Sequence, residues 1–207
     1  ERIVPAFRPV AEDGVRILAE TEEGAPVFAE SHVNGCRILF SSQPQERASW
    51  LRRIAKDAGL HCYNETNGDI SKARGARGTA FPVNVEGHAC QRLEGIAVVI
   101  SENSMEHLTY NSATNTHAII FQQTELAKSG IAWNDYITPG LQDIPTDHRM
   151  WFFENAFKLS PEDVAYIKEK ILVPGNTVVF NIGADVVAGD HFSTETLEAL
   201  TGMSFDI

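Results

Sequence analysis

The chain alternates short apolar runs with amphipathic segments over its C-terminal half. The continuous apolar run 96–100 is typical of a strand covered on both faces, and 133–137, 150–153 and 177–181 are predicted to be further strands. Three segments between or after them predict helices: 115–128, 160–171 and 194–200. Ser160 followed by Pro161, with Asp163 at the third helical position, indicates a helix start. Strands that alternate with helices predict βαβ units and a mainly parallel sheet.

The first third of the chain predicts an antiparallel hairpin followed by a helix. Residues 26–30 and 37–41 have the composition of strands. Asn34-Gly35 between them is a strong hairpin turn signal, because both residues tolerate positive φ. The apolar residues of 45–58 fall on one helical face, and Gly59 follows the last of them. A further short strand is predicted at 15–18.

Residues 71–95 show no hydrophobic period, are rich in glycine and are locally basic. We interpret them as a connecting loop. The alternative is a phosphate-binding glycine loop. The glycine spacing matches neither GxGxxG nor the P-loop, and no helical pattern follows, so the connecting loop is favoured.

Length and charge narrow the class of protein. The chain has 207 residues, which fits one large domain, and 43% of them are hydrophobic. Its 28 acidic and 17 basic residues give a formal charge of -11, which repels phosphate backbones. We therefore expect no nucleic-acid partner. No run of about 18 apolar residues occurs, so no membrane partner is expected either.

The cysteines and histidines predict neither a disulfide scaffold nor a metal site. Cys36, Cys62 and Cys90 are odd in number and lack CxxC spacing, and the seven histidines show no HxH or HxxxH pattern. We expect no metal, no cofactor and a reducing, cytoplasmic compartment. The first residues contain no apolar segment of the kind found in signal peptides. Because the sequence begins without Met, a signal peptide that has already been cleaved remains an alternative.

Two long segments resemble a known domain. Residues 148–203 contain an apolar strand, a capped helix, the run Gly-Asn-Thr-Val-Val-Phe-Asn-Ile-Gly-Ala-Asp and a helix that ends in Leu-Thr-Gly. They are similar to the glutamine-amidotransferase-like, or trimerisation, domain of β-galactosidase-type glycoside hydrolases. Residues 24–63 resemble the closing hairpin and helix of that domain. The resemblance implies a three-layer, flavodoxin-like sandwich with a mainly parallel sheet and a terminal antiparallel hairpin.

The order of the two segments is reversed relative to that family. There, the segment like 96–207 comes first and the segment like 13–70 comes last. A circular permutation, with 71–95 joining the old ends, is the simplest account, because the ends of α/β domains often lie close together. The alternative is a piece that spans two adjacent domains. We expect a single domain over residues 1–207.

The resemblance also directs attention to the bend that would carry an amidotransferase nucleophile. A working enzyme needs a Cys on a sharp strand-to-helix turn. The corresponding segment, 180–185, contains no Cys and no Ser, and the downstream His-x-Glu pair is missing. His61-Cys62 is an alternative dyad, but adjacent side chains usually point apart. We therefore expect no catalytic residue and an accessory or oligomerisation role beside a glycoside hydrolase, either as a homo-oligomer or bound to a catalytic barrel.

Two sets of residues are predicted to contact ligands or partners. Open α/β sheets bind ligands outside the carboxyl ends of their strands. Polar residues after the predicted strands give a ligand-binding crevice for a carbohydrate or other small molecule, or the site of a stand-alone hydrolase: Ser101, Glu102, Asn103, Glu154, Asn155, Asn181 and Gly183. Aromatic and arginine side chains are enriched at interface centres, which gives a predicted interface of Arg47, Trp50 and Arg53.

Overall fold

The computed structural model describes residues 7–43, 46–60, 95–107 and 116–207. Within these ranges the strands are, in chain order, β1 (Arg8–Pro9), β2 (Arg16–Glu20), β3 (Pro26–Val33), β4 (Cys36–Ser41), β5 (Ile96–Ser101), β6 (Trp133–Thr138), β7 (Met150–Phe153), β8 (Thr177–Asn181), β9 (Val187–Ala188), β10 (His191–Phe192) and β11 (Phe205–Asp206). The predicted connecting loop 71–95 lies outside them except for Gly95, as do Cys62 and Cys90.

Five helices accompany the strands in the described ranges. They are α1 (Ala48–Asp57), α2 (Glu102–Met105), α3 (Gln122–Ser129), α4 (Pro161–Tyr166) and α5 (Glu195–Thr201). A π-helical turn, Thr116–Phe121, leads into α3, and another, Ile167–Ile171, continues α4. Each of these helices is too short or too polar to cross a lipid bilayer.

Seven of these strands form one sheet in the order β2-β3-β4-β8-β7-β5-β6, and the short strands pair as β1 with β11 and β9 with β10. The pairings of β4 with β8, β8 with β7, β7 with β5 and β5 with β6 are parallel, whereas β3 pairs antiparallel with both β2 and β4. The mixed α/β class with a mainly parallel sheet is therefore confirmed, and the antiparallel strands lie at one edge. Strands from the first and last thirds of the chain meet where Ile38 pairs with Val178.

The sheet is covered on both faces, because its central strands are apolar at consecutive positions. One face, with Leu39, Phe152 and Val179, packs against α1 and α3. The other face packs against α4 and its π-helical continuation and against α5. Three layers result, and every residue of β5, β7 and β8 is buried.

The predicted hairpin turn at Asn34-Gly35 and the predicted helix start at Ser160 are both found in the structure. Asn34 and Gly35 both adopt positive φ, 52° and 75°, in the turn between β3 and β4. The Ser160 side chain accepts a hydrogen bond from the N–H of Asp163, and the Asp163 side chain accepts from the N–H of Ser160. This capping box satisfies amide groups that the helix itself leaves without partners, and it fixes the start of α4.

Candidate functional site

The carboxyl edge of the parallel strands is where this topology favours a ligand. The chain leaves β5 for the edge strand β6 and then returns to β7 on the other side of β5. This reversal makes the β5–β7 junction the switch point, where helices on opposite faces leave a crevice. The residues that follow β5, β7 and β8 lie along this edge.

Ser101 and Asn155 lock the switch point together. The Asn155 Oδ1 accepts a hydrogen bond from the Ser101 N–H at 2.8 Å, and its Nδ2 donates to the Ser101 carbonyl at 3.2 Å. The Ser101 hydroxyl accepts from the N–H of Ser104 and so caps α2. Both Ser101 and Asn155 are buried. These two predicted crevice residues therefore act on the backbone and hold the junction rigid.

An open cleft of about 610 Å³ lies beside this junction. Its lining combines polar and charged side chains with a few apolar ones: Asn103, Glu106, His107, Lys158, Leu159, Ser160, Pro161, Val164, Asp185 and Thr196. Lys158 Nζ donates to the Val187 carbonyl at 2.9 Å and lies 3.4 Å from the Asp185 carboxylate. Of the predicted crevice residues, Asn103 is the one that lines this cleft, and its side chain donates to the Pro139 carbonyl.

Glu154 lies on the opposite face of the sheet, although it directly precedes Asn155. Side chains two residues apart on a strand lie on the same face, so Glu154 shares the face of Phe152, toward the α3 layer. There the Gln123 amide lies 3.5 Å from Glu154 Oε1. Glu154 is fully buried, and its Oε2 has no hydrogen-bond partner among the described residues. Burial, with a smaller contribution from the nearby charge of Asp135, raises the pKa of Glu154 to about 9.

A small polar network surrounds this carboxyl group. Gln123 Nε2 donates to Asp135 Oδ1 at 2.9 Å, and the Trp133 indole N–H donates to both Gln123 Oε1 and Asp135 Oδ2 at 3.1 Å. The network orients the Gln123 amide toward Glu154. At neutral pH Glu154 is protonated, so it offers an O–H donor inside an otherwise acidic neighbourhood.

A row of buried polar side chains continues from Glu154 across the sheet edge. Asn181 pairs in register with Ser41, and Glu154 follows Phe153, which pairs with Phe180. Glu46 lies beside Ser41. Burial raises the pKa of Glu46, while a hydrogen bond with the Ser41 hydroxyl acts in the opposite direction. The Glu46 backbone N–H and carbonyl both bond the side-chain amide of Gln122, which ties α3 to the segment before α1.

The bend after β8 is strained and aliphatic. Ile182 adopts φ 68°, a left-handed conformation that is unfavourable for a β-branched residue. Its N–H donates to the Ser41 carbonyl at 2.6 Å, which holds the bend against β4. Gly183 follows, and a Cβ at that position would lie 3.1 Å from Val186. The bend therefore presents a buried hydrocarbon side chain at its left-handed position.

The remaining residues of the predicted crevice and of the predicted interface do not form single clusters. Glu102 is exposed on α2, whereas Asn181 and Gly183 are buried. Trp50 and Arg53 line a second cleft beside α1, while Arg47 occupies the N-cap of the same helix, away from that cleft. The sheet thus separates the predicted crevice residues: Asn103 lines an open cleft on one face, whereas the buried Glu154 faces the α3 layer on the other.

The one cysteine within the described residues is remote from the bend. Cys36 begins β4, so it lies at the amino edge of the parallel strands, and burial raises the pKa of its thiol to about 12. A thiol of this kind is a poor nucleophile. Over residues 7–43, 46–60, 95–107 and 116–207, no three His, Cys, Asp or Glu side chains are grouped in a way that could hold a metal ion. The predicted His61-Cys62 dyad falls outside these ranges.

No family model, no curated protein and no solved structure matches this chain.

The sequence did not reveal Gln123 and Asp135 as neighbours of the buried Glu154, nor the contact between Glu46 and Gln122. Asp135 and Glu154 could have been assigned to the same face of the sheet, because side chains alternate between the two faces along β6 and β7. No signal in the sequence identifies Gln122 or Gln123, since their contacts depend on how α3 lies across the sheet.

Proposed function

We propose that this chain is a non-catalytic, amidotransferase-like accessory domain that assembles with a glycoside hydrolase of the β-galactosidase type. The observation that carries the proposal is Ile182 at the left-handed position of the bend after β8. In a nucleophile elbow the strained residue is the nucleophile itself, held at the end of a central strand. An isoleucine side chain has no lone pair with which to attack a carbonyl.

The strand order supports the finer assignment of the fold. From β6 to β4 the parallel strands run β6-β5-β7-β8-β4, which is the flavodoxin-like order 2-1-3-4-5 when numbering starts at β5. The fifth place is taken by β4, which precedes β5 in the chain. This arrangement is what a circular permutation of an amidotransferase-like domain would give. The β2–β3 pair then extends the sheet beyond the fifth strand, as a terminal hairpin would.

Light scattering on the purified chain tests the assembly role. We expect either a symmetric oligomer or a complex with a β-galactosidase-type barrel added in equal amount. If the chain is monomeric at all concentrations and does not bind the barrel, the assembly role is wrong. Assays with glutamine and with nitrophenyl galactosides should give no turnover above that of the Ile182→Ala variant. Turnover by the native chain would place it among enzymes instead.

The open cleft favours a second candidate function, the binding of a small polar ligand such as a sugar. Its volume of about 610 Å³ falls within the range of about 300–1,000 Å³ for ligand sites, and it lies at the switch point. NMR titration with galactose tests this candidate. His107→Ala and Asn103→Ala should weaken binding, whereas His32→Ala, an exposed histidine on β3, should leave it unchanged. Equal effects of the two histidine variants would contradict a site in this cleft.

A further inference from the structure

A second cleft lies between α1 and the antiparallel edge of the sheet, remote from the carboxyl edge of β5 and β7. Its volume is about 280 Å³. Apolar side chains form much of its lining, with Phe28 and Ile54 buried and Trp50 packed edge-on against Phe28 at 5.0 Å between ring centroids. Packed side chains therefore form the apolar side of the cleft.

The rim of this cleft is built from three arginines, although the whole chain is acidic. Arg16, Arg37 and Arg53 line it together with Asp57. Arg16 donates to Glu30 Oε2 at 2.9 Å, and Arg37 donates to the same oxygen from two nitrogens, at 3.0 and 2.7 Å. One buried carboxylate thus holds two guanidinium groups at the cleft and fixes their positions before any ligand arrives.

The charges at the rim do not cancel. Burial acts to raise the pKa of Glu30, but the hydrogen bonds from Arg37 and Arg16 outweigh it and hold that pKa below its ordinary value. Glu30 is therefore a carboxylate at neutral pH. Asp57 adds a second negative charge, 3.4 Å from Arg37. Arg53 takes part in none of the ion pairs that the described residues form. Three positive charges face two negative ones, so an anion is favoured.

Donor groups also remain for a ligand. A guanidinium group carries five N–H donors in a planar fork that matches carboxylate and phosphate oxygens. Arg16 uses one nitrogen for Glu30, and 67% of its side chain is exposed. Together with Arg53 it can approach an anionic group from the solvent side while the apolar lining receives the rest of the molecule.

We propose that this cleft binds a small organic acid, in which one carboxylate or phosphate group is attached to a compact apolar body. The anionic group would contact Arg16 and Arg53, and the body would lie against Trp50 and Leu18. The volume sits just below the range of about 300–1,000 Å³ that holds drug-sized ligands, which selects small molecules. This site does not depend on the assembly role proposed above.

Titration calorimetry of the full chain with four probes tests this proposal. Benzoate and phenyl phosphate carry the two kinds of anionic group, benzamide is the neutral counterpart of benzoate, and inorganic phosphate lacks the apolar body. We expect saturable binding of benzoate, phenyl phosphate or both, with benzamide and inorganic phosphate at least about tenfold weaker, because the charged fork and the apolar lining each contribute. The difference between benzoate and phenyl phosphate identifies the preferred anion.

Variants locate the binding. Arg16→Gln and Arg53→Gln should each weaken the preferred probe about tenfold, whereas Arg53→Lys should lose less, because it keeps the charge. Arg8→Gln removes an equal charge at an exposed position of β1 and should have no effect. Absence of saturation below roughly 10 mM, equal binding of benzamide, or equal loss in Arg8→Gln would overturn the proposal. Self-association that Arg53→Gln abolishes and the probes do not displace would overturn it too, since a second copy would then fill the cleft.

Discussion

Asn155 satisfies both backbone hydrogen-bonding groups of Ser101 across the β7–β5 junction, through Oδ1 at 2.8 Å and Nδ2 at 3.2 Å. Both residues are buried, so removal of the amide leaves an N–H and a carbonyl without partners. We expect Asn155→Ala to lower the free energy of unfolding by about 2–4 kcal/mol. Urea denaturation measures this loss. Asn103→Ala, which removes one hydrogen bond from a half-buried side chain, should cost less than about 1 kcal/mol. Similar losses for the two variants would contradict the locking role of Asn155.

The raised pKa of Glu154 makes stability fall as the pH rises. Its pKa is 4.5 in an unfolded chain and about 9 in the fold, so between these values the folded protein binds a proton that the unfolded chain has released. The contribution is fully present below pH 4.5 and is lost toward pH 9. We expect the free energy of unfolding to fall by about 1.4 kcal/mol per pH unit through this group alone.

Glu154→Gln isolates this effect, because glutamine has nearly the same shape and does not ionise. Urea denaturation at pH 5.5, 6.5 and 7.5 should show a growing advantage of the variant over the native chain. Glu46, the other buried acid with a raised pKa among the residues that the structure describes, stays in both proteins and cancels in the difference. A difference that does not change with pH would show that Glu154 is ionised in the fold.

Backbone strain at Ile182 predicts an unusual order of stability. In a strand, glycine is about 0.5–1 kcal/mol less favourable than alanine. At a φ of 68° the order should reverse, because alanine also resists the left-handed region. We expect Ile182→Gly to be more stable than Ile182→Ala by about 1 kcal/mol, although both lose the burial of the isoleucine. Thermal or urea unfolding compares the pair.

Val178 in β8 provides the matched control for that comparison. Val178→Gly should be less stable than Val178→Ala, since this position has ordinary strand geometry. If glycine is the less stable residue at both positions, the bend after β8 is not strained in solution.

The capping box of α4 predicts a graded pair of effects. Ser160→Ala removes one side-chain hydrogen bond at the helix start and should cost about 1 kcal/mol. Asp163 also accepts hydrogen bonds from the Leu141 N–H at 2.8 Å and the Gln142 amide at 3.1 Å. Asp163→Ala should therefore cost about 2–3 kcal/mol, since it leaves a buried amide without a partner. Equal costs in urea denaturation would indicate that the Leu141 segment finds other partners.

Much of the fold follows from local signals. The turn at Asn34-Gly35 requires positive φ, the Ser160 cap fixes a helix start, and the apolar runs at 150–153 and 177–181 match β7 and β8 residue for residue. The short strands β1 and β9 to β11 were missed, because a strand of two residues has no measurable period.

The candidate site was predictable only in part. The rule that ligands lie at strand carboxyl ends placed Asn103 and Asn155 at the junction, as found. It also grouped Glu154 with them, whereas alternation along β7 sends Glu154 to the other face. The contacts of Gln122 and Gln123 depend on how α3 packs on the sheet. In the π-helical turn before α3, Ile120 is 62% exposed, so the apolar face predicted for 115–128 is interrupted there. Contacts of this kind are set by tertiary structure.

The pairing of β4 with β8 has a consequence for biosynthesis. β4 ends at Ser41, and its parallel neighbour begins at Thr177, far later in translation. At about 5–20 residues per second a ribosome needs roughly 7–30 s to make the intervening chain. Throughout that interval an apolar hairpin strand waits with one side unpaired, which is the kind of surface that chaperones bind and that nascent chains use to misassociate.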